Sequence, residues 1–358
     1  MKVLFVISTL RAGGAERVAS VLASHFALFH DTSLLKFESS ASFYPLNPAV
    51  KIINLQSGAD DLGALGNLKK RLSKLAQIRA VVKNGKFDAV ISFMDSTNLL
   101  VLAACAGLGA KIIISEHSYH KFLSLKWRLA KRALYPLASA LSVLTREDLD
   151  YYSFVPVRGV IYNPADVGET SNLNKENLIV FAGRLVPVKG CDIFLRAISN
   201  LKSRGLLGDW RVCVLGGGEE RENLENLARE LGVAVEFKGA VANIEKYYAR
   251  ARVIVLSSRF EGLGNVLIES SFFHCARVAT PTAGARELVA DGKNGFLAAD
   301  FTPGALATKI ALAMGEAGEK VAGKAYEERF KFEISEIYAQ WLGLLKRAGV
   351  SNLNEGEK

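Results

Sequence analysis

Short apolar, β-branched runs alternate with stretches of helical periodicity along the whole chain. This predicts an α/β protein with parallel sheets and crossover helices. The chain has 358 residues, half of them hydrophobic, which is too long for one core of ordinary size and points to two domains. A polar stretch without apolar periodicity at residues 163–174 divides it near the middle into two halves of similar pattern. The expected boundaries are 1–163, 164–330 and a C-terminal segment 331–358.

The first strand is expected at residues 3–8. The opening ten residues resemble a secretory leader, but the apolar run is short and gives way to Arg11, Gly13, Gly14 and Glu16, so it reads as a buried strand. Further strands are expected at 33–37, 51–55, 89–93, 111–115 and 140–144 in the first half. In the second half they fall at 178–182, 211–216, 233–238, 253–257 and 277–280. From Thr302 the pattern is helical, and Phe330, Phe332, Tyr338 and Trp341 are expected to pack back on the first domain. The longest nearly uncharged apolar stretch, residues 99–110, is shorter than the roughly 20 residues that span a bilayer. The four cysteines, at 105, 191, 213 and 275, show no Cys-x-x-Cys pair, which argues against a zinc site or disulfide framework and fits a reducing cytoplasm.

The chemistry-bearing motifs follow predicted strands, where open α/β sheets place ligands. Residues 257–269 read Ser-Ser-Arg-Phe-Glu-Gly-Leu-Gly-Asn-Val-Leu-Ile-Glu. Glu261 sits in a glycine-flanked loop and Glu269 lies past an expected helix start at Asn265; a helix N-terminus offers backbone N–H groups and a positive dipole end, which suit a phosphate near Val266. A phosphate between two hydroxyl-accepting carboxylates describes a nucleotide sugar. Gly183-Arg184-Leu185-Val186-Pro187-Val188-Lys189-Gly190 puts a guanidinium fork and an ammonium point charge in one loop, which suits a diphosphate. Gly216-Gly217-Gly218-Glu219 suits a base lying against backbone. Gly13-Gly14-Ala15-Glu16-Arg17 offers either a close approach to a ligand or a plain βα turn. Glu116-His117-Ser118 places a histidine and a carboxylate where they can polarise a hydroxyl, or simply a structural histidine; His25, His30, His120 and His274 have no comparable setting. Asp148-Leu149-Asp150 resembles a metal-binding triplet but falls in a predicted helix, and is assigned to a solvated face. There is no complete Gly-x-Gly-x-x-Gly and no Gly-Lys-Ser/Thr loop, so dinucleotide redox chemistry and P-loop hydrolysis lose support.

Taken together and in this order, Gly13–Arg17, Glu116-His117-Ser118, Gly183-Arg184-Leu185…Lys189-Gly190 and Glu261…Glu269 resemble the retaining glycosyltransferases of family 4 over nearly the whole chain. The resemblance implies the GT-B fold: two Rossmann-like, doubly wound parallel-sheet domains facing across a cleft, with a C-terminal helix crossing back to the N-terminal domain. It implies a UDP- or GDP-sugar donor and no obligatory metal or other cofactor. Arg184 and Lys189 would hold the diphosphate, Glu269 the ribose, Glu261 the sugar hydroxyls, and His117 would lie near the transferred sugar. Gly14, Gly183, Gly216, Val241, Leu263, Gly264, Asn265 and Val266 would complete the donor site. Phe273-His274-Cys275-Ala276-Arg277-Val278 departs from the family, which more often has a small residue and proline before that strand.

The net charge is +9, and two windows account for it: residues 62–87 hold seven basic residues and no acid, and residues 119–145 hold five and no acid. In a helix Lys70, Arg71 and Lys74 share one arc, and Leu68, Leu72, Leu75 and Val82 another. Such a helix suits anionic lipid or phosphate. No motif or aromatic interleaving supports nucleic acid as the partner. This segment, with residues 91–98, 114–118 and 135–144, is similar to one branch of the family, whose members extend undecaprenyl-diphosphate-linked oligosaccharide with N-acetylgalactosamine in bacterial protein N-glycosylation. The resemblance implies UDP-GalNAc as donor and a lipid-linked acceptor whose pyrophosphate meets Lys69, Lys70, Arg71, Lys74 and Arg79. It also implies a cytoplasmic enzyme, peripheral on the inner face of the cell membrane. A single-addition transferase with another nucleotide sugar, and a non-catalytic sugar-nucleotide-binding protein, are the alternatives.

Overall fold

A computed structural model describes residues 1–11, 13–39, 41–55, 63–165, 167–168 and 173–353; the side chains of residues 63–68, 70 and 122 are outside the description. The chain forms two compact units, Met1–Pro164 with Ile334–Lys358, and Ala165–Glu333.

The first unit holds a seven-stranded sheet of β1 (Lys2–Ile7), β2 (Asp31–Lys36), β3 (Lys51–Asn54), β4 (Ala89–Phe93), β5 (Ile112–Ser115), β6 (Ala140–Val143) and β7 (Arg158–Val160). Their order is β3-β2-β1-β4-β5-β6-β7, with every ladder parallel. β1 is apolar without alternation because both its faces are covered. Val3, Phe5 and Ile7 point into one cluster with Phe26 of the helix Gly14–Phe26 and Trp341 of the helix Ile334–Arg347. Leu4 and Val6 point into the other, with Ile78 and Val82 of the helix Gly63–Gly85 and Val101 and Leu102 of the helix Asp95–Cys105.

The second unit holds β8 (Glu176–Ala182), β9 (Arg211–Leu215), β10 (Glu236–Gly239), β11 (Ala251–Leu256), β12 (Ala276–Ala279) and β13 (Phe296–Leu297). Their order is β10-β9-β8-β11-β12-β13, again all parallel. In both units the order reverses beside the first strand, which creates a switch point at the carboxyl ends: β1/β4 in one, β8/β11 in the other.

Two strands escape the sequence reading, β7 and β13. Both are edge strands, of three and two residues, too short to carry a period of two. The strand expected at 233–238 begins later, at Glu236, because residues 233–235 serve the turn after the helix Arg221–Glu230. The C-terminal aromatics divide between the units. Phe330 and Phe332 lie in a 3₁₀ turn, Glu328–Phe332, of the second unit. Tyr338 and Trp341 pack in the first, Tyr338 edge-on to Phe26 and Trp341 6.3 Å from Phe93, with the Tyr338 hydroxyl 2.8 Å from His30 Nε2.

Candidate active site

In the second unit the expected donor residues gather at the carboxyl ends of four adjacent strands. The loop after β8 carries Gly183, exposed Arg184 and Lys189; the loop after β9 carries Gly216; Val241 follows β10; the loop after β11 carries Glu261. Backbone bonds join these loops: Gly183 N–H donates to the Leu215 carbonyl, Leu185 N–H to Gly217 and Gly216 N–H to Gly239. Gly216, at φ +135°, tolerates no side chain, since a Cβ would lie 1.8 Å from the Gly183 carbonyl oxygen.

At the β8/β11 switch point the two central loops are pinned together. Arg259 N–H donates to the Val188 carbonyl at 2.8 Å, and Ser257 Oγ donates to the Gly190 carbonyl at 2.8 Å. Lys189 Nζ then meets Glu261 Oε2 at 2.6 Å, and Ser258 Oγ donates to the same oxygen at 3.0 Å. The helix Asn265–Ser271 starts immediately beyond, capped by Gly264, with Leu263 buried beneath it. The N–H of Val266, in the first turn of such a helix, has no carbonyl within the helix to bond. Glu269, one turn on, is buried and accepts from the Tyr248 hydroxyl at 3.0 Å. The two carboxylates are therefore unequal: Glu261 is partly open and paired with a cation, whereas Glu269 is held from within by a tyrosine.

The unusual segment that leads into β12 and forms its first residues supports this helix. Arg277 is fully enclosed and donates to the carbonyls of Leu267, Leu288 and Asn294, tying the helix Asn265–Ser271 to the loop before β13. Burial lowers its pKa to about 10, which leaves it cationic at neutral pH. His274 has φ +50° and stacks on Tyr326 at 3.7 Å.

In the first unit Gly14 is exposed at the start of the helix Gly14–Phe26, and Gly13 N–H donates to the Tyr44 hydroxyl at 3.3 Å. His117 follows β5. Its Nε2 lies 3.1 Å from Ser115 Oγ and its ring packs against Phe93. Burial lowers its pKa to about 4 against the opposing pull of Asp95, so the ring is neutral at pH 7.

The neighbouring Glu116 corrects the sequence reading, for it points inward and is not available to a ligand. It is enclosed by Asn98 Nδ2 at 2.9 Å, Lys131 Nζ at 2.5 Å and the hydroxyls of Tyr135 and Tyr152. Burial pushes its carboxyl up to about 7, with Lys131 pulling the other way. The carboxylate with an outlet is Asp95, at the first position of the helix Asp95–Cys105, just after Met94 at φ +76°. Burial, the largest influence, would raise the Asp95 pKa, but the charge of Lys131 and hydrogen bonds from Glu116, Lys131 and Ser118 together outweigh it and the net shift is downward. Asp95 lies in the segment 91–98 that resembles one branch of the family but was given no role from the sequence, and Lys131 lies in no recognisable motif.

The triplet at 148–150 needs a similar correction. Asp150 is exposed, but Asp148 is buried and accepts from Thr145 Oγ1 at 2.7 Å, with His120 Nδ1 2.7 Å from its Oδ1. His120 thus has a carboxylate partner, contrary to expectation, and stacks on Tyr151. Among the described residues no group of three or more His, Cys, Asp or Glu is arranged to hold a metal.

The basic helix is Gly63–Gly85. Lys69 and Arg71 are exposed, and Lys74 is half-buried with Nζ over the Phe37 ring; the side chains of Lys70 and Leu68 lie outside the described residues. Arg79 bonds the carbonyls of Ala104 and Ala106 at 2.8 and 2.9 Å, so its guanidinium caps the end of the helix Asp95–Cys105. Leu72, expected to share the apolar arc of Leu75 and Val82, is exposed beside Arg71. Among the described residues, no helix is long and apolar enough to cross a membrane.

Two parallel-sheet units, one with a lysine–glutamate pair at its switch point beside a helix N-terminus, define the class of nucleotide-sugar-dependent GT-B glycosyltransferases. The profile of the family "Glycosyl transferases group 1" matches residues 166–328. A Campylobacter jejuni protein named GalNAc-α-(1→4)-GalNAc-α-(1→3)-diNAcBac-PP-undecaprenol α-1,4-N-acetyl-D-galactosaminyltransferase is 36% identical over 96% of this chain and 98% of its own length. A second Campylobacter jejuni enzyme, N-acetylgalactosamine-N,N'-diacetylbacillosaminyl-diphospho-undecaprenol 4-α-N-acetylgalactosaminyltransferase, is 27% identical over 81% of this chain and 84% of its own. HepE of Anabaena, solved with UDP and glucose, superposes with a TM-score of 0.77 at 19% identity, covering 97% of this chain and 99% of that one. The chain belongs to the group 1 glycosyltransferases and is an enzyme of glycosyl transfer.

Proposed function

We propose that this enzyme transfers N-acetylgalactosamine from UDP-GalNAc, in successive additions and with retention, to an undecaprenyl-diphosphate-linked oligosaccharide. It works at the inner face of the cell membrane, as a peripheral protein in the assembly of a glycan for protein N-glycosylation. The observation that carries the reading is the 36% identity to the Campylobacter jejuni transferase, which runs through both units and not only the donor half.

The residues supply a consistent mechanism. The acceptor hydroxyl oxygen forms its bond to the anomeric carbon as the bond from that carbon to the diphosphate oxygen breaks. The hydroxyl proton passes to a departing phosphate oxygen, so the products are the extended glycan and UDP. Negative charge gathers on the leaving group, where Arg184, Lys189 and the N–H group of Val266 would act most strongly. No metal is assigned to this step. Arrival of the diphosphate would compete for Lys189. Glu261, still held by Ser258, would then be left to accept sugar hydroxyls. Glu269, fixed by Tyr248, would hold the ribose, and neutral His117 would donate to, or accept from, the transferred sugar. Lys69, Lys70, Arg71 and Lys74 are proposed to meet the acceptor's pyrophosphate. Arg79 has a prior task in joining two helices.

The test is incubation of the protein with a panel of labelled nucleotide sugars and lipid-linked GalNAc-containing acceptor, followed by mass spectrometry of the lipid products. UDP release and a mass ladder of N-acetylhexosamine steps from UDP-GalNAc alone are expected. Extension from a different sugar nucleotide, or by a single unit, would replace the donor or the successive-addition part of the reading.

A further inference from the structure

We propose that the helix Leu125–Leu134, with the turn that follows it, is a docking surface for an anionic lipid bilayer. The proposal rests on the reading of a lipid-linked acceptor, and deepens it by naming a second element, apart from the basic helix Gly63–Gly85, that meets the membrane.

The helix is inside out. A helix lying on a sheet ordinarily turns its leucines inward and its charges to water. Here Leu125 and Leu129 are 71% and 61% exposed, and Leu137 in the following turn is 55% exposed. The inward side carries Lys131, with Nζ paired to Asp95 and Glu116. At about 100° per residue Leu125, Leu129 and Arg132 fall within about 60° of one another on the outward arc, with Lys126 and Arg128 on either flank. Residues 119–145 contain no acid, so nothing in the segment repels an anionic surface.

Apolar side chains rimmed by cations fit an interface of acyl chains and anionic headgroups. A second copy of the chain fits less well. A two-fold contact would bring the Lys126, Arg128 and Arg132 of both copies into one interface, with no acid from residues 119–145 of either to offset them. The helix also lies on the same face of the sheet as Gly63–Gly85, the helix Asp95–Cys105 packing against both. Leu72 and Arg71 there show the same pairing of exposed leucine with cation. Both helices thus expose leucine and cation on one side of the sheet, while Lys131 on the inner side ties the docked helix to Asp95 and to Glu116 beside His117.

The test uses the full-length protein, without nucleotide sugar or acceptor, and vesicles of phosphatidylcholine with phosphatidylglycerol or of phosphatidylcholine alone. The wild type is expected to partition onto the mixed vesicles, more weakly at high salt. Leu125→Ser/Leu129→Ser/Leu137→Ser should lower that partitioning by at least about tenfold, with an unchanged melting temperature and unchanged turnover of a water-soluble acceptor. If the triple variant melts lower, Lys126→Glu/Arg132→Glu gives the same test, with loss of the preference for phosphatidylglycerol expected. Partitioning of either variant equal to wild type overturns the proposal. So does a wild-type dimer in sedimentation velocity that the triple substitution abolishes, which would make the face a self-association surface. Because the vesicle assay contains no substrate, failure of GalNAc transfer would leave its outcome standing, and failure of docking would leave the transfer reading standing.

Discussion

Each unit contains a lysine–glutamate pair at the carboxyl end of its sheet, and the two pairs differ chiefly in burial. Lys189–Glu261 spans 2.6 Å with side chains 21% and 15% exposed, and Ser258 is its one further hydrogen-bond partner among those described. Lys131–Glu116 spans 2.5 Å with both side chains 1% exposed, inside a shell of Asp95, Asn98, Tyr135 and Tyr152. A half-open pair can exchange partners, since an incoming anion replaces the carboxylate on the lysine at little cost in desolvation. An enclosed pair cannot, because separating it leaves a charge without water or counterion. The first arrangement suits a ligand site. The second suits a frame that fixes the loops beside it, including the one that carries His117.

Substituting the lysines separates these roles. Lys131→Ala should cost about 3–5 kcal/mol of stability, as is usual when one partner of a buried pair is removed. Hydrogen exchange should show the loss at the β4 and β5 amides, and a loss below about 1 kcal/mol would mean that the pair is not the frame described. Lys189→Ala should leave stability almost unchanged, yet lower turnover by about 10²–10³, the usual effect of removing a donor to developing negative charge. Steady-state kinetics with the preferred nucleotide sugar reads this directly, and wild-type turnover would remove Lys189 from the leaving-group site.

The exchangeable pair was legible in the sequence and the frame was not, for a physical reason. Arg184, Lys189, Glu261, Asn265 and Glu269 lie on two short segments that follow adjacent strands, so their spacing survives folding as proximity. Glu116 draws Lys131 from a helix, Asn98 from another and Tyr152 from beyond β6, and no local period links these positions. The same holds for Asp148, whose exposed helical neighbour Asp150 gives no sign that His120 closes over it. The charge excess of residues 119–145 was visible as composition. That its leucines face outward could be seen only once Lys131 was found on the inner side.

The frame should also leave a mark on pH dependence, and its sign follows from Glu116. Its carboxyl titrates near 7 in the folded protein, against an ordinary value of 4.5. Below pH 4.5 both folded and unfolded chains hold the proton, and Glu116 exacts no penalty. Between 4.5 and 7 the unfolded chain releases it while the folded chain keeps it, so stability falls as pH rises, at about 1.4 kcal/mol per unit. Above 7 the loss is complete. Glu116→Gln has no proton to release, so its stability relative to wild type should rise by about 3 kcal/mol between pH 4.5 and 7 and then level off. His117 pulls the other way in the same range: its lowered pKa makes stability fall as pH drops below 6.5. That contribution is common to both proteins and cancels in the difference. A flat difference between wild type and Glu116→Gln, measured by hydrogen exchange of β4 and β5 corrected for intrinsic rates, would mean that Lys131 keeps Glu116 ionised throughout. The frame would then be a permanent ion pair and not a carboxyl that takes up a proton near neutrality.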